Sequence, residues 1–193
     1  MRAFYEDRGK TRIIQYSDDY STDFMKALRW VKDDIGKKKK LNEEEGGKVE
    51  GQATDIVVFG RLAGRIDQGF SVFHHLLRAS TEPDLLPPAS DMYLVSEQNI
   101  SFIVSGGRSH RIYGASDQNI FGQNIGLIPI AGPIKLSTKG LEWDVTGWET
   151  RIGGKEISTS NHIRNDTVEV NSTGPVLITI ELADTFCPRK GEP

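Results

Sequence analysis

One cysteine, Cys187, stands among 193 residues, so no disulfide can close within the chain, and a reducing compartment suits it. No apolar run reaches the length that crosses a bilayer, and the start, Met1-Arg2-Ala3-Phe4-Tyr5-Glu6, is charged rather than signal-like. These absences give a cytoplasmic expectation with no membrane partner. Asn99-Ile100-Ser101, Asn165-Asp166-Thr167 and Asn171-Ser172-Thr173 match the glycosylation sequon, but with no export signal they are read as chance. The net charge is −3 and no long basic patch occurs. The four lysines at 37–40 are followed at once by Glu43-Glu44-Glu45, which makes them a solvated charge block and argues against duplex nucleic acid as a partner. No internal repeat is present, nor a Walker A loop or a G-x-G-x-x-G fingerprint.

What is present is a continuous apolar run, Ile56-Val57-Val58-Phe59, leading into Gly60-Arg61-Leu62-Ala63-Gly64-Arg65-Ile66-Asp67-Gln68. A strand, a glycine-punctuated turn and a helix start make an anion site, because free backbone N–H groups and the helix dipole converge there. Arg65 adds a guanidinium fork suited to phosphate. Asp67 adds a carboxylate suited to Mg²⁺ between phosphate oxygens. The plainer reading is a surface Arg–Asp pair with Asp67 as helix cap.

Upstream, Ser21 or Thr22 can cap a helix with Asp23 in its first turn, and Phe24, Leu28, Val31 and Ile35 share one face. This helix is expected to end at Gly36, with residues 37–52 a mobile loop. Residues 1–6 read as a short helix, 11–16 as a short strand, and 67–79 as a helix with Phe70, Phe73, Leu76 and Leu77 inward. His74 and His75, adjacent on a helix, diverge too far for one metal and are read as packing and surface residues. Pro83, Pro87 and Pro88 mark a loop. Strands are expected at 93–96 and 100–105, then, past Gly106-Gly107, at 110–113, 125–130, 134–137, 144–146, 167–170 and Val176–Leu182. The fold class is therefore α/β plus all-β: a parallel-sheet α/β domain over 1–106, a C-terminal β-sandwich over 107–186, and a frayed tail at 187–193.

Ser21-Thr22-Asp23-Phe24-Met25-Lys26-Ala27-Leu28, Gly60 to Gln68, Gly126-Leu127-Ile128-Pro129-Ile130, Thr138-Lys139-Gly140-Leu141-Glu142-Trp143 and Ile157-Ser158-Thr159-Ser160-Asn161 occur in this order. In that order they resemble the eukaryotic thiamine pyrophosphokinases from about the first residue to about Leu182. The resemblance implies transfer of pyrophosphate from ATP, with Mg²⁺, to the hydroxyl of thiamine, giving thiamine diphosphate and AMP. It implies a homodimer with thiamine held between one subunit's first domain and the other's sandwich. By the same resemblance Asp23, Arg65 and Asp67 are the catalytic candidates, with Asp23 and Asp67 the metal ligands. Thr22 and Gln68 fall to ATP, and Trp143, Ser158, Ser160 and Asn161 to thiamine. A tryptophan face suits a cationic thiazolium or an aminopyrimidine, and serine and asparagine suit its polar edge. The bland alternatives are sandwich core for Trp143 and a turn for the polar residues.

Three departures from the family pattern stand out. Asp19 occupies a place where the family usually has glutamine, and Arg61 replaces a second glycine after Gly60. The family's Gly-Asp-Phe-Asp-Ser motif does not occur. Its two carboxylates are expected to hold metal, so this chain alone is expected to turn over far more slowly than one carrying the motif, and its sheet is expected to show an exposed edge. The second function class is a non-catalytic form that dimerises and binds thiamine or modulates a full-length partner.

Overall fold

The computed structural model describes residues 14–44, 54–60 and 65–185. The expected helix at 1–6, most of the strand at 11–16, the turn at 61–64 with Arg61, the second half of the 37–52 loop and the tail at 187–193 lie outside the described residues. The chain divides into two compact units at 49/50.

The first unit contains α1, Asp23–Glu44. Thr22 caps it: its hydroxyl accepts from the Met25 N–H at 3.3 Å and its carbonyl from the Lys26 N–H at 3.0 Å. Met25 and Leu28 are buried, and Phe24, Val31 and Ile35 are half-buried on the same side. The helix does not end at Gly36. A glycine costs a helix only about 1 kcal/mol relative to alanine. The lysines that follow are good helix formers, and Lys38 pairs with Asp34 one turn back at 2.7 Å. Residues 37–44 are thus helix, where a loop was expected.

The second unit opens with β1, Ile56–Phe59, and α2, Ile66–Thr81. The strands that follow are β2, Met92–Val95; β3, Asn99–Val104; β4, Ser109–Ile112; β5, Phe121–Ile128; and β6, Ile134–Lys139. The last four are β7, Trp148–Thr150; β8, Ser158–His162; β9, Val168–Ser172; and β10, Val176–Leu182. They form a six-stranded sheet in the order β1-β2-β3-β10-β5-β8 and a four-stranded sheet in the order β4-β9-β6-β7. Among the described residues only the β1–β2 pair is parallel, and the other pairings are antiparallel. The sheet therefore draws β1 to β3 from before Gly106 and β5, β8 and β10 from after it.

The core shows the strand period of two. Val176, Ile178 and Ile180 on β10, Ile125 and Leu127 on β5, Ile134 and Leu136 on β6, and Val168 and Val170 on β9 form one cluster, each at most 5% exposed. These are facing residues of two sheets, the sandwich that the spacing of the strands predicts. Helix α2 packs on β2 and β3 with His75, Leu76 and Ala79 buried. His75 is thus the packing member of its pair and His74 the surface one. Burial lowers the His75 imidazole below its ordinary range. Phe70, expected inward, is 69% exposed; it lies about 120° round the helix from Leu76 at about 100° per residue.

The strand expected at 144–146 does not form; these residues are irregular chain after a turn at 142–143. The Asp144 carboxylate accepts from the Thr138 hydroxyl at 3.0 Å and from the N–H groups of Gly140 and Leu141 at 2.9 and 3.1 Å. A side chain that takes up backbone donors this way competes with strand pairing, and the strand forms later, at β7. Between β3 and β4 the chain crosses closely. A Cβ on Gly106 would stand 2.5 Å from backbone atoms of Gly174, and Gly107 has φ of +81°. Gly36, by contrast, has nothing within 4 Å of its missing Cβ. Gly106→Ala is expected to lower stability by about 1–3 kcal/mol, the scale of overpacking. Gly36→Ala is expected to raise helix stability by about 0.5–1 kcal/mol. Urea denaturation followed by circular dichroism checks both; equal effects at the two glycines would contradict the close approach at Gly106.

Candidate functional site

The strand–turn–helix unit read from the sequence is present at its two described ends. β1 closes with the Gly60 N–H donating to the Val95 carbonyl at 3.1 Å, which extends the parallel pairing by one residue. Arg65 occupies the N-cap of α2 in extended backbone, with no side-chain cap bond. Its carbonyl accepts from the N–H groups of Gln68 at 3.1 Å and Gly69 at 3.4 Å. Asp67 is not the cap but the acid of the first turn, where the helix dipole favours it.

Arg65 and Asp67 meet as a two-bond fork, Nε to Oδ1 at 3.1 Å and Nη2 to Oδ2 at 2.5 Å. Their side chains are 75% and 56% exposed. The guanidinium holds the Asp67 carboxyl below the usual carboxylate range, and Asp67 raises Arg65 in turn. A phosphate-seeking group and a metal-seeking group therefore occupy each other in this state. Gln68 is exposed beside them. Phe59, Ile66 and Phe70 are also exposed, and among the described strands β1 stands at one end of its sheet.

Asp23 lies in the first unit and Arg65 and Asp67 in the second. The Asp23 carboxylate is fully exposed, with Lys26 at 3.7 Å. The loop before it is fastened by Asp18, whose carboxylate accepts from the N–H groups of Tyr20 and Ser21 at 3.0 and 3.2 Å and from Arg29 at 3.3 Å. The Ser21 hydroxyl, then the Tyr20 amide, leads in holding Asp18 below the ordinary carboxylate range. Asp18 and Arg29 were not singled out from sequence. An aspartate two and three residues before the amides it binds is an Asx-turn signal, and it was legible there.

Among the described residues no three His, Cys, Asp or Glu side chains converge to hold a metal. That donor set fits Mg²⁺ only in its usual manner, one or two carboxylates with phosphate oxygens completing the shell.

The second cluster is built on β8, the other edge of the six-stranded sheet. Ser158, Ser160 and Asn161 lie on this strand and not in a turn. Ser160 is exposed and Ser158 half-buried. Asn161 is 6% exposed. Its Oδ1 accepts from the N–H groups of Trp143 at 3.1 Å and His162 at 2.9 Å, and its Nδ2 donates to the Trp143 carbonyl at 2.9 Å. It thus grips both backbone groups of Trp143. Trp143 is 55% exposed and lies outside the sandwich core. Its ring rests against His162, with centroids 5.1 Å apart. His162 Nδ1 meets Glu142 Oε2 at 2.5 Å, and Arg164 donates to the same oxygen at 2.7 Å. His162 first and Arg164 second hold the Glu142 carboxyl below its ordinary range. Glu142, His162 and Arg164 were also missed from sequence, because only the β8 register brings position 162 beside 142.

Chemically, the start of α2 carries an exposed arginine–aspartate pair, residue types suited to phosphate and to a divalent cation. Asn161 of β8 holds the backbone of a half-exposed tryptophan, Trp143. No helix is long and apolar enough to cross a membrane among the described residues.

Comparison with known proteins bears on both ends. Residues 1–85 match the family described as "Thiamin pyrophosphokinase, catalytic domain", and residues 109–177 match "Thiamin pyrophosphokinase, vitamin B1 binding domain". The chain is 30% identical over 183 residues to thiamine pyrophosphokinase 1 of Arabidopsis thaliana, covering 94% of this chain and 60% of that protein. It is 22% identical over 207 residues to the thiamine pyrophosphokinase of Saccharomyces cerevisiae, covering 92% and 64%. The solved thiamin pyrophosphokinase from Candida albicans superposes with a TM-score of 0.74 at 21% identity, covering 94% of this chain and 69% of that one. The yeast enzyme structure gives 0.72 at 20% identity, covering 93% and 64%. The chain spans about 60% of the length of the Arabidopsis relative. Matched by the family's catalytic region before Gly106 and its vitamin-binding region after it, the chain belongs to the thiamine pyrophosphokinase family.

Proposed function

We propose that the chain acts in transfer of pyrophosphate from ATP to thiamine, giving thiamine diphosphate and AMP. The observation that carries this reading is the joint presence of the Arg65–Asp67 fork at a strand–helix junction and the half-exposed Trp143 clamped to Asn161 of β8. Residues 1–106 would form the ATP-binding part and residues 107–186 the thiamine-binding part. In the reaction the thiamine hydroxyl oxygen bonds to the β-phosphorus and the bond from that phosphorus to the AMP oxygen breaks. The hydroxyl proton leaves to a carboxylate or to solvent.

Each residue's part follows from its chemistry. The Arg65 guanidinium binds phosphate oxygens by the same two-pronged geometry it now gives Asp67. Asp67, held ionised by its environment, is the carboxylate for Mg²⁺ in the second unit, and Asp23 is its counterpart in the first. Mg²⁺, when bound, neutralises charge on the pyrophosphoryl oxygens. Thr22 and Gln68 are nucleotide contacts. Trp143 receives the thiazolium or aminopyrimidine on its exposed side, and Ser158 and Ser160 face its polar edge. Asn161 acts mainly through its grip on the Trp143 backbone. The reading includes a homodimer in the cytoplasm; the single cysteine and the absence of a spanning helix among the described residues are compatible with it.

Titration calorimetry of the full chain with thiamine is expected to give a measurable affinity. No heat and no melting shift at millimolar thiamine in a folded sample would defeat the reading.

Asp67→Asn is expected to weaken Mg–ATP binding severalfold while leaving the melting temperature nearly unchanged, because the exposed pair contributes little to folding. Arg65→Lys should also weaken it, since an ammonium cannot reproduce the fork. Wild-type Mg–ATP affinity in both variants would remove these residues from the site.

Asn161→Ala strips partners from two backbone groups of Trp143 and is expected to cost about 1–3 kcal/mol of stability, as unsatisfied buried groups do. Thermal unfolding measured beside thiamine affinity separates the structural loss from the binding loss. A variant as stable as wild type would show that Asn161 is no clamp.

A further inference from the structure

The backbone of Trp143 is fixed by Asn161, yet two side-chain torsions still decide where the indole face points. His162 supplies the constraint: its ring lies against the indole at 5.1 Å between centroids with planes 43° apart. His162 is in turn fixed. Glu142 Oε2 takes the Nδ1 contact at 2.5 Å, and Arg164 Nη2 holds that same oxygen at 2.7 Å. An ionised carboxylate only accepts, so Nδ1 carries the proton and the ring orientation is set. The backbone locks the partners in register, with the Glu142 N–H donating to the His162 carbonyl at 2.9 Å and Leu141 bridging to Ile163.

We propose that Glu142, His162 and Arg164 are positioning residues that hold the Trp143 indole with one side backed and the other presented to the cationic ring system of thiamine. The inference rests on the thiamine-binding reading and adds to it residues to which the sequence reading gave no role.

Two physical arguments support it. Glu142, His162 and Arg164 side chains are 33%, 25% and 50% exposed, so their network adds little to folding stability. Its effect is to select one indole orientation before the ligand arrives, which removes an ordering cost from binding. The charges of Glu142 and Arg164 also cancel, so the support places no fixed net charge from these two groups behind a face meant for a cation.

The test uses the full chain and thiamine itself. His162→Ala is expected to weaken thiamine binding roughly three- to tenfold, the scale of ordering one side chain on binding. His162→Phe, which restores an aromatic backing, should recover affinity to within about twofold. Mg–ATP affinity should be unchanged in both, and the Trp143 indole N–H resonance should broaden or shift in the alanine variant only. A purely structural role would not give recovery by phenylalanine with nucleotide binding untouched. Should His162→Ala fail to fold, Glu142→Ala releases the imidazole without altering its ring and is expected to weaken thiamine about two- to fivefold. Wild-type binding of thiamine with equal affinity in His162→Ala, or in Glu142→Ala where that variant stands in, overturns the positioning role and leaves the thiamine reading standing. No binding by the wild-type chain overturns both.

Discussion

Strand β10 is paired along both edges, to β3 on one side and β5 on the other, and both candidate sites depend on that double pairing. Its alternate residues Val176, Ile178 and Ile180 are at most 1% exposed and sit in the cluster between the two sheets. The same strand therefore joins the part that carries β1 and α2 to the part that carries β8. The Arg65–Asp67 fork follows β1 at one edge of this sheet, and the Trp143 platform is fixed to β8 at the other. Neither cluster is part of the core, and each is attached to a terminal strand of the sheet among the described residues.

How far the sequence reaches can be judged element by element. Strand β10 and β1 were legible with their boundaries, because alternation or a continuous β-branched run leaves little choice of structure. Helix α1 was legible at its start, where Thr22 supplies a cap, and not at its end. Gly36 is a weak stop signal, and an i,i+4 pair with a lysine run outweighs it. Asp144 defeats the strand expected around it because its carboxylate binds three local donors, a competition that hydrophobic pattern does not register. Phe70 is apolar, yet it sits about 120° round α2 from the buried Leu76 and is exposed. Among the described residues the parallel pairing expected of the first sheet is seen at β1–β2, and β3 returns beside β2 by a hairpin with antiparallel neighbours beyond it.

The candidate site was legible as residue types in order, and less so as interactions. Arg65 and Asp67 stood out at the helix start, but their mutual fork depends on rotamers that no spacing fixes. Asn161 was expected among the thiamine contacts. In the structure its Oδ1 accepts two bonds and its Nδ2 donates one, two of the three to the Trp143 backbone. The Glu142–His162–Arg164 network joins positions about twenty residues apart and exists only because Leu141 bridges to Ile163. A single chain read without its pairing register cannot show that contact.

The Arg65–Asp67 fork has one more consequence, concerning which ligands the strand end admits. A bare polyphosphate that takes Arg65 leaves Asp67 ionised and unpaired beside several like charges, a repulsion that offsets much of what the guanidinium supplies. A free divalent cation meets the mirror-image penalty at Arg65. On the proposed reading, a ligand carrying cation and anion together would replace both halves of the pair at once, so the fork would favour the metal-bound form of a phosphate ester over either ion alone.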